Sequence, residues 1–326
     1  MIASSWRPTS SLENMQLRAK IYTQIRQFFS ERDVLEVDTP IMSHAAVSDP
    51  HLASVSAIYQ ELGSSKTQVC YLQTSPEYPM KRLLAAGCPS IYQLCKVFRN
   101  GETGQFHNPE FTMLEWYRLG WDDKQLMHEV DELFQLILKT ESADRLSYED
   151  AFLKYVSLNP HTASIEALQQ CAEKHEIVLL SEVDRNDRDL WLQLLMSEVI
   201  ERKIGQHRPI FIYDFPSSQA ALARVNPNKP EVAARFEAYF KGIELVNGFH
   251  ELADADEQSR RFDDDLSIRE KLNLPLPPRD DRFLAALASG QFPDCAGVAL
   301  GVDRLIMLAA GAESLSDVIS FPFLMA

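Results

Sequence analysis

One segment of the chain concentrates side chains that could bind a nucleotide and an amine. Residues 97–117 read Val-Phe-Arg-Asn-Gly-Glu-Thr-Gly-Gln-Phe-His-Asn-Pro-Glu-Phe-Thr-Met-Leu-Glu-Trp-Tyr. Residues two apart on a strand share a face, so Phe111, Glu115 and Tyr117 would lie on one side. Arg99 stands at the end of the strand that would pair with it. This face could stack a purine, hold an amine and clamp a phosphate, but an ordinary hairpin with a mixed face fits the spacing equally well.

The elements that must position this hairpin follow an α+β pattern. A helix capped by Ser11 is predicted over 11–32, and a short strand follows at 35–37. The hairpin strands are predicted at 91–100 and 111–119, around a polar loop. Further helices are predicted near 123–139, 147–156, 164–175, 187–203, 255–272 and 301–310, and further strands at 210–213, 235–252 and 298–300. The pattern predicts one catalytic domain over 1–326, an antiparallel sheet flanked by helices, with a helical insertion around 145–205.

Composition and net charge argue against a nucleic-acid-binding, membrane or secreted protein. The chain has 326 residues, of which 45% are hydrophobic, and a net charge of −15. The acidic balance disfavours tRNA as the principal partner, because phosphate neutralisation supplies most nucleic-acid affinity. No apolar run reaches membrane-spanning length, and residues 1–11 do not resemble a signal peptide. The five cysteines are scattered without a Cys-x-x-Cys pair, which predicts a cytoplasmic protein without structural zinc.

Three segments resemble the signature motifs of class II aminoacyl-tRNA synthetases, in their lysyl form. Phe-Arg-Asn and His-Asn-Pro-Glu-Phe-Thr-Met-Leu-Glu, within 98–115, resemble motif 2. Val-Asp-Thr-Pro at 37–40 resembles motif 1, and Gly-Val-Ala-Leu-Gly-Val-Asp-Arg-Leu at 297–305 resembles motif 3. The stretch 235–252 is similar to the lysine- and metal-binding region of lysyl-tRNA synthetases. The resemblance runs from about residue 12 to the end and implies the α+β catalytic domain of that family.

The resemblance implies an ATP site. By it, Arg99 binds the α-phosphate, while Phe111 and Arg304 stack on opposite sides of adenine. Glu237 and Glu244 match carboxylates that hold Mg²⁺ against the ATP phosphates. A bulge or turn near 241–242 must then break the strand alternation. The implied ATP-binding residues, of which Arg99 and Arg304 are expected to be catalytic, are Arg99, Asn100, Gly101, Glu102, His107, Asn108, Phe111, Glu244, Leu245, Gly301 and Arg304.

The resemblance also implies a pocket for a substrate with two amines. Glu251 and Tyr117 match the residues that receive the ε-amine of lysine, and Glu77 and Glu115 lie by resemblance near the other amine. The implied substrate-binding residues are Ser75, Pro76, Glu77, Glu115, Tyr117, Asn247, Phe249, Glu251 and Ala299. The chain departs from the family pattern at three positions. Gly101 stands where many members have Glu, Phe106 replaces an Arg, and Ala299 replaces the middle Gly of motif 3.

Motif 1 begins almost at the N-terminus, so no anticodon-binding domain is expected. This layout resembles the synthetase-like ligases that transfer (R)-β-lysine to elongation factor P. It implies ATP-dependent activation of β-lysine or lysine, acylation of one lysine of that factor, and a homodimer built through motif 1. No membrane or tRNA partner is expected. Two alternatives stay open: a paralogue that acylates tRNA or a small molecule, and a non-catalytic module that senses an amino acid. The joint presence of Arg99, Arg304, Glu244 and Glu251 weighs against the second.

Overall fold

A computed structural model describes residues 6–179 and 184–326. These residues form nine α-helices and eleven β-strands, apart from short 3₁₀ and π turns. The helices are α1 Leu12–Ser30, α2 Glu77–Ala85, α3 Asp123–Leu138, α4 Tyr148–Val156, α5 Ile165–Lys174, α6 Arg188–Leu195, α7 Ala255–Lys271, α8 Asp281–Ala288 and α9 Val302–Ala309. The strands are β1 Leu35–Glu36, β2 Met42–Ser43, β3 Ser56–Gln60, β4 Thr67–Leu72, β5 Ile91–Phe98, β6 Glu110–Leu119, β7 Asp144–Ser147, β8 Ile210–Pro216, β9 Val232–Phe240, β10 Ile243–His250 and β11 Cys295–Gly301.

The chain divides into two compact units. The first contains the described residues up to Gly120, together with Ala253–Cys295 and Ala299–Ala326. The second contains the described residues of Trp121–Leu252, together with Ala296–Val298. Strand β11 therefore contributes residues to both units. The single catalytic domain and its helical insertion at 145–205 stay a prediction, although α4, α5 and α6 all lie within that range.

The first unit is built around the hairpin predicted from the sequence. Strands β5 and β6 pair antiparallel, with Gln93 opposite Glu115 and Val97 opposite Phe111, and β1 pairs parallel with β5. Helix α1 begins at the predicted cap, where Ser11 accepts a hydrogen bond from the backbone N–H of Asn14. Burial of aromatic rings holds α1 against the hairpin, since Phe29 stacks on Tyr92 at 4.4 Å between ring centroids. The opposite face of β6 is thereby left to Phe111, Met113, Glu115 and Tyr117.

The second unit contains four strands in the order β10-β9-β8-β7. The β9–β10 hairpin turns through Lys241 and Gly242, which both have positive φ, of 53° and 73°. Two such residues are typical of the type I′ turn that matches the twist of the flanking strands. The pairing places Glu244 opposite Tyr239, and then shifts register so that Asn247 lies opposite Glu237. The shift leaves Leu245 as an extra residue on β10 and forms a β-bulge.

A close approach of backbone and ring fixes the middle of β10. Gly248 lies opposite Phe236 in the register of the hairpin. A Cβ atom at position 248 would come within 2.3 Å of the Phe236 ring. Only glycine therefore lets this fully buried ring lie across the neighbouring strand. The ring also packs edge-on against Phe211 at 5.9 Å, which anchors it in the unit's core.

Most elements fall where the sequence predicts them, with four differences. The helix predicted over 187–203 ends as an α-helix at Leu195 and continues as a π turn and a 3₁₀ turn. The three-stranded sheet β2-β4-β3, strand β7, and the two helices α2 and α8 were not predicted. Within residues 6–179 and 184–326, no helix combines the length and the apolar character needed to cross a membrane.

Candidate active site

In the first unit, the carboxylate of Glu115 lies at the centre of a group of predicted substrate-binding residues. Its side chain is buried, and the Tyr117 hydroxyl donates a hydrogen bond to its Oε1 at 2.6 Å. The Ser75 hydroxyl donates to Oε2, also at 2.6 Å. Strand alternation explains the first contact, because Glu115 and Tyr117 are two residues apart on β6. Both oxygens are therefore oriented by hydroxyl groups.

A buried lysine accompanies the second carboxylate of this group. Glu77 opens α2, and its N–H donates to the Ser75 hydroxyl at 3.0 Å. Lys81 lies one turn further on and donates from Nζ to Glu77 Oε1 at 2.6 Å, with its own side chain fully buried. Pro76 occupies the N-cap position of the helix. Sequence reasoning missed Lys81, because lysine is rarely buried unless it is paired.

Burial changes the protonation of Glu115. It raises the pKa of this carboxyl to about 8, and the negative charge of Glu77 adds to the increase. The hydrogen bonds from Ser75 and Tyr117, together with the charge of Lys81, act in the opposite direction. Desolvation is the dominant cause, because it penalises the ionised form of a carboxyl. The neutral form of Glu115 therefore persists to higher pH than that of an ordinary glutamate.

The predicted phosphate ligand, Arg99, lies beside the predicted adenine platform. Its guanidinium carbon is 5.1 Å from the centroid of the Phe111 ring, a cation–π distance. Glu102 is 3.8 Å away and partly exposed, which makes it a weak partner. Among the residues that the structure describes, nothing accepts a hydrogen bond from the buried Arg99 Nε. An unsatisfied buried N–H on a cation is suited to an anionic oxygen.

The hairpin loop holds the second predicted cation. Arg304, in the first turn of α9, donates from Nε to the carbonyl oxygen of Phe106 at 3.1 Å. Its Nη2 lies 2.8 Å from Nε2 of His107. A guanidinium can only donate, so this imidazole nitrogen accepts. Burial, followed by the charge of Arg304, lowers the pKa of His107, which agrees with a neutral ring.

The remaining predicted nucleotide residues of this unit lie close in sequence to these two arginines. Asn100 donates its N–H to the carbonyl of Ala53 at 2.7 Å, and Gly101 has a positive φ of 83°. Gly301 precedes α9 at the N-cap position. The side-chain amide of Asn108 already makes two hydrogen bonds within the protein. Its Nδ2 donates to the Glu110 carbonyl, and its Oδ1 accepts from the N–H of Phe323.

In the second unit, the two predicted metal ligands share one face of the hairpin. Glu237 and Tyr239 are two apart on β9, and Glu244 pairs with Tyr239 across the turn. Cross-strand partners and residues two apart lie on the same face, so both carboxylates do too. On one continuous strand, a spacing of seven residues would place Glu237 and Glu244 on opposite faces. The two-residue turn between β9 and β10 removes this conflict. The bulge at Leu245, which is buried, returns Asn247 to this face as well.

Arg235 connects several predicted residues of this face and was not itself predicted as a site residue. Its Nη2 donates to Glu237 Oε1 at 2.5 Å, and its Nε donates to Asn247 Oδ1 at 3.3 Å. The guanidinium carbon lies 6.0 Å from the centroid of the Phe249 ring. Tyr239 donates to the other oxygen of Glu237. The signals in the sequence were its position two residues before a predicted ligand and its place at the start of the stretch 235–252, which resembles the lysine- and metal-binding region.

Two further predicted residues are placed as follows. Glu251 follows β10 and is buried, and its backbone carbonyl accepts a hydrogen bond from Arg224 Nε at 3.1 Å. Ala299 lies on β11 and is partly exposed between the buried residues Val298 and Leu300. In the part of the chain that the structure describes, no group of three or more His, Cys, Asp or Glu residues forms a metal site.

The chain is similar in sequence to several known proteins. The family described as tRNA synthetases class II (D, K and N) matches residues 3–325. Two relatives named elongation factor P–(R)-beta-lysine ligase come from Vibrio atlanticus and Vibrio cholerae. Each is 52% identical, over 98% and 99% of both chains respectively. A third with the same name, from Haemophilus ducreyi, is 53% identical over 97% of this chain and 96% of its own.

These similarities extend over nearly the whole length of each chain. They confirm the predicted fold class, an α+β catalytic domain of the class II synthetase type. ATP use follows from the same family. The chain belongs to the class II tRNA synthetases of the D, K and N type.

Proposed function

We propose that the protein activates (R)-β-lysine, or lysine, with ATP and transfers it to the ε-amine of a lysine of elongation factor P. The observation that carries this proposal is the 51–53% identity to relatives of that name over nearly their full length. The group of hydroxyls and carboxyls around Glu115 supports it, because such a group suits an ammonium-bearing substrate.

The first step forms a mixed anhydride. The substrate carboxylate attacks the α-phosphorus of ATP, and the bond to pyrophosphate breaks. No general base is required, since the carboxylate is ionised at neutral pH. Arg99 is proposed to stabilise the charge that develops on the α-phosphate, and Phe111 and Arg304 to hold the adenine. In the second step, the deprotonated acceptor amine attacks the anhydride carbonyl, and AMP leaves.

Magnesium is proposed to enter with ATP as part of the substrate. Mg²⁺ prefers oxygen ligands and commonly binds one or two carboxylates together with substrate phosphates. The carboxylates of Glu237 and Glu244, on one face of their hairpin, fit this donor set. Arg235 offsets part of the negative charge at Glu237. The role proposed for these residues is therefore to orient an ion whose remaining ligands are phosphate and water.

Carboxylates and neighbouring polar or aromatic side chains are proposed to bind the substrate. In the first unit, Glu115 and Glu77 are the acceptors, oriented by Ser75, Tyr117 and Lys81. In the second unit, Glu251, Asn247 and Phe249 are the proposed substrate residues. An ammonium beside Glu115 stabilises its ionised form, so binding is coupled to loss of its proton.

The acceptor assay tests the proposal directly. Purified protein, ATP, Mg²⁺ and labelled β-lysine are incubated with elongation factor P in one arm and with tRNA in the other. Labelling of a single lysine of elongation factor P, with no tRNA labelling, is expected. Efficient tRNA charging without labelled elongation factor P would favour a tRNA-acylating paralogue. The absence of pyrophosphate exchange with any lysine isomer would favour a module that only senses the amino acid.

Oligomeric state and location complete the proposal. We expect a homodimer built through α1 and the segment that follows it, where Leu35, Ile41 and Met42 are exposed. Contiguous exposed apolar side chains commonly mark a protein interface. The proposed location is the cytoplasm, because the acceptor named for the relatives is a translation factor and all five cysteines are free thiols.

A further inference from the structure

One buried carboxylate connects the two residues proposed to enclose adenine. Asp303 precedes Arg304 in the first turn of α9 and is almost fully buried. Its Oδ2 accepts a 2.6 Å hydrogen bond from the backbone N–H of Thr112. Thr112 is the residue after Phe111 on β6. The same carboxylate is therefore one residue away from each of the two proposed adenine contacts.

The other oxygen of Asp303 is held by α1. Arg18 Nη2 lies 2.5 Å from Oδ1, and the same guanidinium donates to the Val318 carbonyl and to the Tyr22 hydroxyl. Tyr22 in turn donates to the hydroxyl of Thr112 at 3.3 Å. One oxygen of Asp303 therefore accepts a hydrogen bond from β6, and the other forms an ion pair with Arg18 of α1. Replacing Arg18 removes the ion pair and leaves the hydrogen bond from the Thr112 N–H, whereas replacing Asp303 by alanine removes both contacts.

We propose that Asp303 is a positioning residue that sets the spacing between the Phe111 ring and the Arg304 side chain, and thereby the affinity for the adenine base. A base stacked between a ring and a guanidinium gains most when both lie at contact distance. The Asp303–Thr112 hydrogen bond fixes α9 against β6 at the level of these two side chains. The Arg18 ion pair orients the carboxylate but does not itself bridge the two elements that carry the stack. This inference rests on the proposed function, since it assumes that ATP binds at Phe111 and Arg304.

The simple alternative is that Asp303 only stabilises the fold. A buried carboxylate that loses its partners costs stability wherever it lies. The two roles differ in which part of ATP they affect. Loss of spacing at the stack weakens contacts to the base, and Arg99 keeps its contacts to phosphate. General loosening of the unit weakens contacts to base and phosphate alike.

The test compares ATP with inorganic tripolyphosphate, which has no base. Dissociation constants for both are measured by calorimetry with Mg²⁺ and without amino acid. Asp303→Ala is expected to weaken ATP binding by about tenfold or more, the effect of losing a buried charge-assisted hydrogen bond. Tripolyphosphate binding is expected to change by less than about threefold. If the alanine variant does not fold, Asp303→Glu takes its place, because it keeps the charge but displaces it. This variant should also weaken ATP binding.

Two variants serve as controls. Asp303→Asn keeps an oxygen acceptor for the Thr112 N–H, and its ATP affinity should stay within about threefold of the parent. Arg18→Met removes the ion pair and is expected to lower the unfolding temperature without changing the ATP-to-tripolyphosphate ratio. Equal loss of both ligands in Asp303→Ala, or unchanged ATP binding in a folded Asp303→Ala, would overturn the inference. A parent protein that binds no ATP would instead refute the proposed function.

Discussion

The Tyr117 hydroxyl donates a 2.6 Å hydrogen bond to Glu115, two residues earlier on the same strand. The bond favours the ionised carboxylate, yet burial outweighs it and keeps the pKa of Glu115 near 8. A neutral Glu115 is a poor partner for an ammonium group. We therefore expect the affinity for the amino acid to rise with pH up to about 8, by at most about tenfold per pH unit. Calorimetry between pH 6 and 9 measures this dependence.

Glu115→Gln is the matched control for this titration, because the amide cannot ionise. Its amino-acid affinity should be weak and nearly independent of pH over the same range. Stability provides a second measurement. A carboxyl with a raised folded-state pKa stabilises the fold below its usual value of 4.5, and that contribution is lost as pH rises through about 8. The unfolding temperature of the ligand-free parent should fall over this window, and less so in Glu115→Gln.

Arg99→Ala is expected to reduce adenylate formation by roughly 10²- to 10³-fold, or about 3–4 kcal/mol, without unfolding the protein. The reason is the loss of a cation whose buried Nε is available for a phosphate oxygen. Pyrophosphate exchange measures the effect, and thermal unfolding checks the fold. Arg99→Lys keeps the charge but not the planar fork and should recover only part of the activity. Exchange within a few-fold of the parent would assign Arg99 another role.

Arg235→Lys is expected to weaken amino-acid binding by about tenfold, because it loses the fork that contacts both Glu237 and Asn247. Tyr239→Phe provides the comparison, since it removes the hydrogen bond from Tyr239 to Glu237. The hydrogen bond from Arg235 to Asn247 stays intact in this variant. Calorimetry without ATP distinguishes the two variants. Equal weakening by both would mean that Arg235 acts through Glu237 alone.

Ala299→Gly is expected to raise activation of α-lysine with less effect on β-lysine. Ala299 adds a methyl at a motif 3 position where the resembling synthetases have glycine. A methyl in a tight pocket discriminates by roughly 1–3 kcal/mol, or about 10- to 200-fold. The α-amine of α-lysine is expected to be crowded by this methyl. In β-lysine that amine is on the next carbon, so the crowding is relieved. The ratio of kcat/KM for the two isomers measures the effect, and an unchanged ratio would assign selectivity to other residues.

The protein is expected to be a dimer at micromolar concentration. Analytical ultracentrifugation should therefore give twice the mass of the monomer. Ile41→Asp places a charge in the exposed apolar segment after α1 and should shift the population to monomer. Leu276→Asp alters a comparably exposed residue elsewhere in the same unit and should leave the dimer intact. A monomeric parent protein would refute the dimer.

Local signals predicted the elements that carry most of the chemistry. Ser11, Ser147 and Ser164 each cap a predicted helix, and the alternation of β6 identifies the face that carries Glu115. Such features depend on neighbouring residues, so a sequence reveals them directly.

Features set by tertiary contacts were not predictable. The small sheet β2-β4-β3 exposes Ile58 and Val69 on paired strands, so it lacks the buried alternation that identifies a strand. Burial of Lys81 depends on a partner four residues earlier and on the surroundings of both. The bulge at Leu245 depends on pairing with β9, which no single-strand pattern records. The sequence indicated only that the alternation had to break nearby.

The contact between Gly248 and Phe236 has a consequence for engineering substrate selectivity. Positions 247 and 249 are natural choices for a randomised library, because both are proposed substrate contacts. Position 248 lies between them, but any side chain there would collide with the Phe236 ring at 2.3 Å. Variants at 248 would therefore be lost to misfolding before any change in selectivity could be measured. A productive library would vary 247 and 249 as a pair and keep 248 as glycine.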